Sequence, residues 1–65
     1  MNVNKLRGVM AERNCTQKQL AKAIGISSKT FYNKMQRGVF GTDEVEKMVR
    51  YLSIQNPAEI FLDQM

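Results

Sequence analysis

The sequence predicts an all-α fold, a compact bundle of four to five helices. Two observations carry this: apolar residues recur at spacings of three and four, and each such run is bounded by residues that start or stop helices. A chain of 65 residues buries only about 60% of the surface that its unfolded form exposes. Its stability therefore rests on close helical packing or on a partner subunit, since one cysteine forms no internal disulfide.

Val3, Leu6, Val9 and Met10 follow the spacing of an amphipathic helix, expected over residues 3 to 13. Asn14, which tolerates the left-handed conformation, ends it, and Cys15 points inward as a small apolar residue. Thr16 is the N-cap of a second helix, with Gln19 three residues later completing a capping box. That helix runs from Gln17 to Ile24 and buries Leu20, Ala21 and Ile24. Gly25 follows, then Ile26, then Ser27 as the next cap. Two short helices joined this tightly must cross steeply, with Ile24, Ile26 and Phe31 meeting at the corner.

The third helix covers Ser28 to Arg37 and stops at Gly38. Phe31 and Met35, four apart, form its buried stripe. At about 100° per residue, Lys29, Asn33 and Gln36 project away from that stripe, with Thr30 and Arg37 on one flank and Ser28 and Tyr32 on the other. After a loop over residues 38 to 41, Thr42 is expected to cap a fourth helix, whose first turn places Asp43 and Glu44 against the positive end of the helix dipole. Val45, Met48, Val49 and Leu52 form its inner face. A last short helix opens with Asn56 as cap, Pro57 at the first position and Glu59 at the third, and packs through Ile60, Phe61 and Leu62. The whole reads as one domain over residues 1–65, with no repeat or linker.

The net charge of +4 conceals an asymmetry. Residues 1 to 42 carry eight basic side chains against Glu12 alone, or +7, whereas the remainder carries two against five, or −3. Between Arg13 and Thr42 there is no acidic side chain. Such a stretch points to an anionic partner, of which nucleic acid phosphate is the commonest, although charge alone equally fits a solvated basic face.

Other classes are poorly served by this composition. No His, a lone Cys and no phosphate-cradling Gly-rich loop leave the usual nucleophile, base, zinc and cofactor constellations unassembled, so neither an enzyme nor a metal, cofactor or small-molecule site is expected. Dipole compensation accounts for Asp43, Glu44 and Glu46 better than a metal does. No apolar run approaches the ~20 residues of a membrane span, and the N-terminus lacks a signal-like stretch; a cytoplasmic location is expected. Cys15 reads as core filler rather than a reactive thiol, and Phe61, Leu62 and Met65 as an apolar tail suited to a second subunit.

Gln17, Leu20, Ala21, Ile24, Gly25, Ile26, Ser27 and Phe31 resemble the helix-turn-helix of the lambda-repressor-like family, which includes phage Cro proteins, repressors and regulators of the xenobiotic-response-element type. The resemblance spans nearly the whole chain, because that domain is likewise a bundle of four or five helices. Two departures stand out. Gln19 takes a place where the family often has Glu, and Lys34 stands where many members bury a second recognition-helix residue, a role that passes to Met35.

The resemblance implies a sequence-specific regulator of double-stranded DNA, repressor or Cro-like, bacterial or phage in kind, bound as a homodimer to a palindromic operator. The third helix, Ser28 to Arg37, would read the major groove, whose base edges distinguish all four base pairs. By position the base readers are Ser28, Lys29, Tyr32 and Asn33. Lys29 suits guanine O6 and N7, Asn33 suits adenine N6 and N7, and Tyr32 suits a thymine methyl or a phosphate. Phosphate contacts fall to Gln17 at a helix N-terminus, with Thr16, Ser27, Thr30, Lys34, Gln36 and Arg37 as additions. The competing reading, a protein-interaction module such as an antitoxin or anti-repressor on the same fold, would call for an apolar third-helix face. This chain has Lys29, Asn33 and Gln36 there.

Overall fold

The computed structural model describes residues 1–64, and five helices fall where the apolar spacing places them, α2 and α3 with the expected caps. They are α1 (Val3–Glu12), α2 (Gln17–Ile24), α3 (Ser28–Arg37), α4 (Thr42–Leu52) and α5 (Ala58–Phe61), followed by a 3₁₀ turn, Leu62–Gln64. No strand occurs among the described residues. α2 packs against both α3 and α4, while α1 packs against α5.

The connections are short because α1 to α4 end in one hydrogen-bonding pattern. Past each end, one residue takes the left-handed conformation, its N–H and the next one bonding back to carbonyls of the last turn. In the order α1 to α4 these residues are Asn14, Gly25, Gly38 and Ser53, with φ of 53°, 83°, 69° and 53°. After α2, Gly25 N–H donates to Lys22 O at 3.2 Å and Ile26 N–H to Ala21 O at 3.0 Å. After α4, Ser53 N–H donates to Arg50 O at 3.3 Å and Ile54 N–H to Val49 O at 3.0 Å. Each turn thus satisfies orphan carbonyls while redirecting the chain within three or four residues.

The starts are capped in three different ways. Asn2 accepts from Lys5 N–H, and Thr16 and Gln19 form the expected reciprocal box, with Gln19 N–H to Thr16 Oγ1 at 3.1 Å and Thr16 N–H to Gln19 Oε1 at 2.9 Å. At α4 the expectation is corrected: Thr42 is the first helical residue and Gly41 is the cap. Glycine offers no side-chain acceptor, so only the returning half of a box exists, Gly41 N–H to Glu44 Oε1 at 2.7 Å. α5 is likewise shifted by one residue. Pro57 precedes it with helical dihedrals, and Asn56 contributes its carbonyl, to Glu59 N–H at 3.2 Å, with no side-chain cap.

One core joins all five helices: Leu6 and Met10, Leu20, Ala21 and Ile24, Phe31 and Met35, Phe40, Val45, Met48 and Leu52, and Ile60 and Phe61. Two expectations about the C-terminal segment change here. Phe61 is fully buried, so it belongs to the core and not to an exposed tail, whereas Leu62 is 73% exposed and does not pack inward. Met65 lies outside the described residues. The ends of the chain are tied to each other, since Asn2 N–H donates to Ile60 O at 2.7 Å, the Met1 ammonium pairs with Asp63, and Lys5 pairs with Glu59 at 3.1 Å. Arg13 fastens the end of α1 to the end of α4, its Nε donating to Leu52 O at 3.0 Å.

The turn between α2 and α3 isolates a backbone effect from a steric one. A Cβ on Gly25 meets no atom within 4 Å, yet φ there is +83°. Gly25→Ala is therefore expected to lose about 1 kcal/mol through left-handed strain alone, lowering the melting temperature by roughly 4–8 °C, with Gly25→Asn recovering part of the loss. Thermal denaturation followed by circular dichroism measures this, and an unchanged midpoint for the Ala variant contradicts it.

Candidate nucleic-acid interface

The orientation of α3 follows from two side chains. Phe31 is fully buried and Met35 is 2% exposed, one turn apart, and the Phe31 ring packs on Phe40 with centroids 5.4 Å apart. With that stripe inside, Lys29, Asn33, Gln36, Arg37 and Thr30 face away from it and Tyr32 flanks them, while Ser28 lies at the start of the helix; all are exposed. Met35, and not Lys34, is the second buried residue, which gives α3 the rotation expected from the sequence. The face contains no carboxylate, and Tyr32, 53% exposed, is its single large apolar group.

α2, which packs against α3, offers a second set of donors at its start. Gln17 is half-buried at its first position, where the N–H groups of Gln17 and Lys18 have no intrahelical carbonyl to bond. An anion is favoured there by both the free donors and the helix dipole. Thr16 is exposed but its hydroxyl oxygen serves as the cap, so its role in the fold is accounted for before any role at an interface.

The hydroxyls at the start of α3 are coupled. Ser27 Oγ accepts from Thr30 N–H at 3.1 Å and donates to Thr30 Oγ1 at 2.9 Å. This leaves the Thr30 hydroxyl hydrogen as the outward donor of the pair. Cys15 is half-buried, and burial pushes its thiol pKa up, which disfavours the nucleophilic thiolate.

Lys34 is placed differently from the other basic residues of α2 and α3. Its Nζ donates to both carboxylate oxygens of Glu44 at 2.7 Å, and Glu44 in turn accepts from Gly41 N–H, so that the end of α3, the loop and the start of α4 are pinned together. Lys18, Lys22, Lys29 and Arg37 have no ion pair among the described residues. Lys29, Arg37 and the lysines of α2 are therefore the cations of these two helices without an ion pair among the described residues, while Lys34 is paired at the flank that faces α4. Reading the sequence alone missed this pair. The available signal was Glu44 at the third position after a glycine cap, where a side chain must reach back to the loop beside Lys34.

The pair links pH to stability. Burial by itself would raise the Glu44 carboxyl, but hydrogen bonds from Lys34 and Gly41 N–H, together with the charges of Lys34 and Lys47, outweigh it and hold the pKa below the usual carboxylate range. A group depressed in the folded state stabilises fully above its unfolded pKa, and the contribution fades as pH falls through the folded value. Glu44→Gln should cost about 1 kcal/mol at neutral pH, and the gap from the parent should close on acidification through the carboxylate range. Urea titrations at several pH values measure it; a gap independent of pH contradicts the assignment.

Comparison with known proteins bears on what this surface is for. A family model for the Cro/C1-type HTH DNA-binding domain matches residues 5–64, from α1 through the 3₁₀ turn. No curated protein and no solved structure matches the chain. The matched span contains the capped α2, the glycine turn, the buried stripe of α3 and its polar outer face, and on this ground the chain belongs to the Cro/C1-type helix-turn-helix DNA-binding domain family.

Proposed function

We propose that this protein is a sequence-specific regulator of transcription that binds double-stranded DNA, with α3 in the major groove. The observation that carries this reading is the outer face of α3, where Lys29, Asn33, Gln36 and Arg37 stand exposed without a carboxylate among them, in a chain of a DNA-binding family. A helix about 10–12 Å across fits the major groove, and Ser28, Lys29, Tyr32 and Asn33 are the base readers. Gln17 and the free amides of α2 hold a phosphate on one side. Thr30, Gln36 and Arg37 hold phosphates on the other, and Thr16 and Ser27 add hydroxyls at the two helix starts.

A single such module reads too few bases for tight binding. The protein acts as a homodimer on a palindromic site, its half-sites about one helical turn apart, formed through its C-terminal helices or on the DNA itself. Action as a repressor in a bacterial or phage cytoplasm, by a chain that is one domain, completes the proposal. An antitoxin-like role is less well supported, because the α3 face offers a protein partner only Tyr32 as a large apolar anchor.

Selection of a preferred duplex from random sequence, followed by titration of that duplex and of random DNA at physiological salt, tests the reading. Asn33→Ala should cost about 1–3 kcal/mol on the preferred site and little on random DNA, whereas Gln17→Ala should weaken both. Five or six phosphate neutralisations per dimer by Lys and Arg set the slope of log affinity against log salt at about −5. Equal affinity of the parent protein for both DNAs removes sequence specificity, and equal behaviour of the two variants removes the division into readers and positioners.

A further inference from the structure

The flank of α3 that faces α4 carries a cation which the fold withholds. Lys34 lies on the recognition helix, one position from Asn33 and three from Arg37, within a stretch otherwise free of acid. It is the only basic residue of α2 or α3 in an ion pair among the described residues. Its partner Glu44 comes from outside the helix-turn-helix, and both carboxylate oxygens are engaged at 2.7 Å. The carboxylate is held in turn by Gly41 N–H, and its side chain is only 15% exposed, so it is a fixed counter-charge and not a passing surface contact. A Cβ on Gly41 would already stand 3.4 Å from Glu44 Oε1, which shows how closely the loop is folded around that oxygen.

From this geometry we infer that Glu44 is a positioning residue, which keeps Lys34 off the DNA backbone and so limits sequence-independent binding. The inference rests on the DNA-binding reading given above. A free ammonium at this flank would add a phosphate contact on any sequence, raising affinity for all DNA alike. Neutralised, Lys34 leaves phosphate binding to the α2 start and to Thr30, Gln36 and Arg37, and the sequence-independent part of the affinity is smaller for it. Glu44 touches no base in this account and acts only through Lys34.

The test compares the salt dependence of binding for the parent, Glu44→Gln and the double variant Lys34→Gln with Glu44→Gln, on the selected duplex and on random duplex of equal length. Counterion release reports each new phosphate contact, and a loss of packing alone does not mimic it. Glu44→Gln should steepen the slope by about 1 per protomer on both duplexes and raise affinity for both at low salt. The double variant, whose flank is neutral again, should return both slope and affinity to the parent values; it also guards against an unfolded single variant, each fold being checked by circular dichroism. A double-variant slope shallower than the parent's by about 1 per protomer means that Lys34 already binds phosphate and overturns the inference, as does an unchanged slope in a folded Glu44→Gln. No binding of the parent to either DNA removes the DNA-binding reading, and this inference with it.

Discussion

The buried stripe of Phe31 and Met35 is the constraint on which the rest of the structure turns. A helix with two large apolar side chains four residues apart has one low-energy way to sit on a core, and burying both fixes its rotation. Truncating either would leave a cavity beneath the recognition helix, of the kind that costs about 2–5 kcal/mol. Everything said of the outer face follows from that rotation. Lys29, Asn33 and Gln36 are presented outward because Phe31 and Met35 are not available to be, and α2 is shaped to receive them, with Ala21 and Ile24 buried alongside.

A chain this small holds five helices together only because little of it is spent on loops. The repeated left-handed ending lets each helix stop and turn within three or four residues while its last carbonyls remain bonded. Two of the four endings use glycine and two use Asn14 and Ser53, which accept the strain that glycine avoids. The contacts between Met1 and Asp63, Asn2 and Ile60, and Lys5 and Glu59 then close the chain on itself through α1 and α5.

Much of this was legible in the residues. Capping chemistry is local, so Thr16 with Gln19, Ser27, Gly25 and Gly38 marked α2 and α3 to the residue, and the spacing of Phe31 and Met35 marked the face. The misplacements arise where a local signal was ambiguous: Thr42 has the side chain of a cap but follows a glycine that takes the position, aided by Glu44. Pair contacts across the sequence were out of reach. Lys34 with Glu44 and Arg13 with the Leu52 carbonyl depend on how helices dock, which periodicity does not encode. Ile60 and Phe61 pack inward as expected of the last helix. Leu62 as a packing residue and Phe61 as part of a tail were misread, since Phe61 and Leu62 are equally apolar and only the packing of α5 on α1 decides which is inside.

The charge of the chain takes its meaning from the same arrangement. The basic segment forms α1 to α3, and the acidic one supplies α4, whose Glu44 reaches back to neutralise a single lysine of that segment. In the proposed function, DNA is read by a rotated helix whose outward cations are few and placed. The most direct test of that claim is methylation interference on the selected duplex, because methylated guanine N7 lies in the major groove and methylated adenine N3 in the minor. Interference at guanine N7 in two stretches, one per half-site, with none at adenine N3 between them, is the expected result. Interference confined to adenine N3, or none at any base, contradicts the placement of α3 in the major groove.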